Sequence, residues 1–72
     1  MNQPDDVRAP LPPILRFFEY EHLPVHLANV SRPFAQLATS VALELPDGPE
    51  KSVALRKLLE AKDAAVRAAL PA

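Results

Sequence analysis

Tyr20 offers a flat ring with a hydroxyl that needs a partner or water, a combination that favours a surface or a groove over a sealed core. With cations nearby, such a ring is a platform on which a nucleobase can stack. Arg32 can present a forked pair of donors to a phosphate. It stands next to Pro33, where a missing backbone hydrogen bond can open a groove beside a helix. Lys51 and Arg56, farther along, are a second pair of candidate phosphate ligands, and His26 completes the set. This chemistry is binding rather than bond-making.

Catalysis and metal chemistry have less to build on. The hydroxyls are Ser31, Thr39, Ser40 and Ser52, and none sits in a glycine-rich elbow or phosphate loop. His22 and His26 are spaced i,i+4, but Pro24 lies between them and interrupts the helical register a metal pair would need. They read as surface or interface histidines. Asp5 and Asp6 are paired carboxylates in a proline-rich stretch and read as solubilising. No catalytic residue, metal or cofactor is expected.

With 72 residues the chain has room for one domain, and 49% apolar residues suit a folded one. A domain of this size is marginal on its own core. Cysteine is absent, which excludes disulfides and thiolate metal sites and fits a reducing compartment. Oligomerisation is the remaining staple. The formal charge of −1 argues against a duplex nucleic acid held by bulk positive charge. No apolar run is long enough for a membrane span, and no secretory leader is evident.

The elements that must position these residues are helical. Residues 1–13, MNQPDDVRAPLPP, hold four prolines and few large apolar groups, and are expected to be a mobile arm. Residues 14–72 then form a single domain. A short helix is expected from Ile14 to about His22, closed by Leu23-Pro24. From Pro24, apolar residues at Leu27, Val30, Phe34, Leu37, Val41 and Leu45 mark a long helix packed on one side. Pro33 interrupts it, predicting either a kink near Asn29–Arg32 or a separate helix capped by Ser31. Leu45-Pro46-Asp47-Gly48-Pro49-Glu50 is a break, after which a helix runs from about Pro49 to Ala69. A connection of this length makes the two long helices an antiparallel hairpin. On the last helix Leu55, Leu59, Val66 and Leu70 form one ridge, and Ala54, Leu58, Ala61, Ala65 and Ala69 another. A stripe pairing Arg56 with Glu60 and Asp63 with Arg67 runs between them. One hairpin partner covers one ridge, so the alanine ridge predicts self-association. The fold class is all-α: a short N-terminal helix, then a hairpin with a proline-kinked first helix, in an oligomer.

The stretch LPDGPEKSVALRKLLEAKDAAVRAA (45–69) resembles the second half of a phage helical-hairpin family of nucleotide sponges, which counter the defences called CBASS and Thoeris. The likeness rests on the Leu-Pro turn, Glu50-Lys51-Ser52, Ala54-Leu55, Lys57-Leu58 and Glu60-Ala61. It extends more weakly over Phe34–Leu45 and to the aromatic stretch Phe17–Tyr20. It implies a compact homo-oligomer, a hexamer in the anti-CBASS members, that sequesters cyclic di- or trinucleotides without cleaving them in the bacterial host cytoplasm. The family's base-stacking tyrosine falls on Tyr20, and its basic residue early in the long helix falls near Arg32. Phe17 and Phe18 would then anchor the short helix to a neighbouring subunit. Two departures stand out: Lys62-Asp63-Ala64-Ala65 replaces a Trp-Ala-Asn run, and the link from Tyr20 to the hairpin is about a turn shorter. The alternative from another class is a helical protein-interaction module, an antitoxin or assembly adaptor, with no nucleotide ligand.

Overall fold

The computed structural model of the chain describes residues 11–71. A 3-10 helix, Pro13–Phe18, is followed by two α-helices, α1 (Val25–Glu44) and α2 (Pro49–Ala69), and the described residues contain no strand. All three elements touch one another. The arm expected over 1–13 lies mostly outside the described residues; its last member, Pro13, already belongs to the 3-10 helix.

The N-terminal helix is shorter and tighter than its sequence suggests. Leu15 N–H donates to the Pro12 carbonyl at 3.1 Å, an i to i−3 bond, and Glu19 turns extended, ending the helix. Three residues per turn stack Leu15 over Phe18, and that face meets the helix pair. An α-helical turn would offset the two by about 60° around the axis, where the 3-10 turn aligns them. Residues 19–23 instead form a linker whose last turn closes through Leu23 N–H on the Tyr20 carbonyl at 3.0 Å.

α1 runs unbroken through Pro33, so no separate helix starts there and Ser31 caps nothing. Pro33 and Asn29 both face solvent, so the carbonyl that Pro33 leaves without a donor can be hydrated. That makes an interior proline tolerable. Ser31 lies on the opposite side, fully buried, and its Oγ has no hydrogen-bond partner among the described residues. An orphan hydroxyl of this kind costs about 1–3 kcal/mol.

α1 ends because Pro46 disfavours the helical conformation for Leu45, which is extended at φ −100°, ψ 147°. Gly48 then adopts φ 158°, ψ 176°, a region left almost entirely to glycine, and Pro49 opens α2. Each element gives one side chain to the centre of the core: Phe18, Ala38 and Leu55, each at most 2% exposed. Ile14, Leu15, Phe34, Val41, Leu58 and Leu59 pack around them. Phe18 therefore anchors the short helix to its own hairpin, and Phe17 beside it points out, 59% exposed. Of the alanine ridge, Ala54 and Ala61 remain exposed, while Leu58 turns inward against the core. The charged stripe pairs differently from expectation: Lys57 meets Glu60 at 3.7 Å and Lys62 meets Asp63 at 2.8 Å.

Candidate functional site

The linker after the 3-10 helix folds Tyr20 back onto the second turn of α1. There the Arg32 guanidinium carbon lies 5.6 Å from the centre of the tyrosine ring, within cation–π range. Arg32 Nη2 donates to Asn29 Oδ1 at 2.8 Å, one turn earlier on the same helix. Tyr20 is half-buried, whereas Asn29 and Arg32 are exposed. The result is a ring and a fork of donors held together at the surface. The two residues paired by sequence reasoning meet. Asn29 was missed, although its i,i+3 spacing to Arg32 was a readable signal.

Lys51 has a different setting. It is 9% exposed, and its ammonium donates to the Ala42 carbonyl at 2.7 Å, the Leu45 carbonyl at 3.1 Å and Asp47 Oδ1 at 2.8 Å. In an uninterrupted helix the Ala42 carbonyl would accept from residue 46, but Pro46 has no N–H. Lys51 supplies that donor from α2 and places positive charge at the negative end of α1. All three of its protons are engaged inside the chain, so its geometry is that of a clamp on the hairpin turn.

Lys51 and the exposed Arg56 line a groove of about 360 Å³ at this turn, with Ser52, Pro12, Pro13 and Leu55 among the other walls. A second groove, of about 370 Å³, lies between the 3-10 helix and the later turns of α2. Arg16, Phe17, Glu19, His22, Leu23, Lys62, Asp63, Val66 and Arg67 line it. Neither groove includes Tyr20 or Arg32, and His26, exposed on the first turn of α1, borders neither. The expected site residues thus fall into two places, Tyr20 with Arg32 and Lys51 with Arg56, with His26 apart. The second groove escaped sequence reasoning because its walls come from two segments far apart in the chain, residues 16–23 and 62–67.

Thr39, Ser40 and Ser52 are exposed, and Ser31 is sealed in the core. Among the described residues no cluster of three or more His, Asp or Glu side chains is placed to hold a metal ion, and no helix is long and apolar enough to cross a membrane. Set against protein-family models, curated proteins and solved structures, the chain matches none of them.

Proposed function

We propose that this chain is a non-catalytic binder of cyclic oligonucleotides, a sponge that holds an immune signal by mass action inside a homo-oligomer. The observation that carries the reading is the Tyr20–Arg32 pair, an aromatic face and a guanidinium already assembled at the surface. A cyclic dinucleotide brings two bases and two phosphates, so a pocket for it needs both a stacking face and local positive charge. Asn29 limits the freedom of the Arg32 fork before any ligand arrives, lowering the ordering cost of binding. The resemblance of residues 45–69 to the phage sponges supports the same assignment.

Self-association is part of this proposal. Among the described residues, Val25, Leu37 and Leu43 of α1 are between 53% and 76% exposed, whereas Phe18, Leu27 and Leu55 are buried. Exposed apolar side chains gathered on one helix gain by burial against copies of the chain. The expected result by multi-angle light scattering is a mass several times 7.9 kDa, a hexamer if the resemblance extends to stoichiometry. A monomer at micromolar concentration would remove the subunit-interface sites on which the sponge depends.

Ligand binding is tested by thermal shift with cyclic di- and trinucleotides. At a hundredfold excess over Kd, the stabilisation expected is about 2.7 kcal/mol, and denaturing the complex should return the ligand intact. Tyr20→Ala should weaken binding by roughly one to two powers of ten, the stacking contribution of one base. Arg32→Ala should weaken binding and flatten its salt dependence. The exposed apolar residues equally favour the second reading, a protein-interaction module, which predicts no shift with any nucleotide and a host protein in the purified complex.

A further inference from the structure

In the groove beside Phe17 an open aromatic ring and two guanidinium groups come together around a cavity. Its volume, about 370 Å³, lies within the range of small-ligand sites. Arg16 and Arg67 both border it, and among the described residues neither forms an ion pair. Lys62 is held at 2.8 Å by Asp63, so its charge is partly balanced. With Glu19 included, three basic side chains face two carboxylates in a chain whose overall charge is −1. The groove is locally positive within a slightly acidic protein. Phe17, 59% exposed, contributes a ring that its own core leaves unused, and Val66 extends the apolar wall. The hairpin-turn groove lacks this combination: it has no aromatic wall, and its lysine is already engaged.

We propose that this groove is a second binding site, taking a small anion with a flat ring, of the class of a nucleoside monophosphate. Its ring stacks on Phe17 and its phosphate lies between Arg16 and Arg67. The stacking face is generic, because every base has a π-face, while the two forks select a compact doubly charged phosphate over a carboxylate. The site is independent of Tyr20 and Arg32 and does not require the cyclic-nucleotide reading. Since Phe17 is outside the core, removing it tests the site without dismantling the fold.

The test is a titration of the full chain with adenosine 5′-monophosphate, followed by amide and side-chain NMR shifts, with inorganic phosphate and adenosine run separately. The nucleotide is expected to shift residues 16–17 and 66–67, and to bind more tightly than either half alone. Phe17→Ala should weaken it roughly tenfold. Arg67→Ala should weaken it and reduce its salt dependence. Shifts confined to Tyr20 and Arg32 would overturn the proposal, as would affinity unaltered by Phe17→Ala. If Phe17→Ala instead lowers the oligomer mass and no variant binds the nucleotide, Phe17 is a subunit contact and the groove is not a site.

Discussion

Replacing Lys51 with methionine is expected to cost about 2–4 kcal/mol, a large share of the stability available to a 72-residue domain at roughly 0.05–0.15 kcal/mol per residue. Methionine keeps most of the apolar stem, so the loss isolates the ammonium. Its removal leaves the Ala42 and Leu45 carbonyls, buried or partly buried around the clamp, without their donor. Each stranded acceptor carries a desolvation penalty of about 1–3 kcal/mol. Asp47, 79% exposed in its side chain, rehydrates at little cost, so the carboxylate is the minor partner. Urea denaturation followed by far-UV circular dichroism measures the difference. Lys51→Arg should lose less, since it keeps charge and donors. A Lys51→Met variant as stable as the parent would show that the side chain is not a clamp and return it to the candidate ligand residues.

Phe18→Ala should be more damaging still, by about 3–5 kcal/mol, because it empties the centre of a core with few large members. Ala38 and Leu55, its buried neighbours, belong to helices already in contact and cannot close the void. The 3-10 helix would lose its deepest contact, and the linker carrying Tyr20 would lose its mooring. At about 4–8 °C of Tm per kcal/mol for a domain of this size, the melting temperature should fall by at least roughly 12 °C. Phe17→Ala should barely move it in the monomeric fold. Equal losses at the two adjacent positions would mean that the core is not organised around Phe18.

These two residues also mark where reading the sequence stopped. The hairpin was legible because Pro46, Gly48 and Pro49 punctuate it, and α2 begins at Pro49 and ends at Ala69 as expected. α1 was legible as a helix, with one helix kinked at Pro33 and two separate helices both left open, since a proline's effect depends on whether its orphaned carbonyl reaches water, and sequence alone does not give that orientation. Phe17 and Phe18 could not be told apart, because a 3-10 and an α register send neighbouring side chains in different directions. Lys51 read as a candidate phosphate ligand, whereas its ammonium is held inside the chain. The clue was Pro46, a missing donor four residues after Ala42, but the compensating donor comes from across a turn. For the candidate site, Tyr20 and Arg32 were readable from residue chemistry, whereas the Phe17 groove needed the tertiary fold.

The clamp should also link positions 46 and 51 in descent. Pro46 fixes where α1 stops and at the same time creates the deficit that Lys51 fills. A chain with another residue at 46 could extend α1 by one residue and donate to Ala42 from its own backbone, and selection for lysine at 51 would then relax. Among chains sharing this hairpin, proline and lysine five apart should therefore be kept together or lost together. That dependence gives a diagnostic for recognising distant relatives when the alanine-rich remainder of α2 has drifted past recognition.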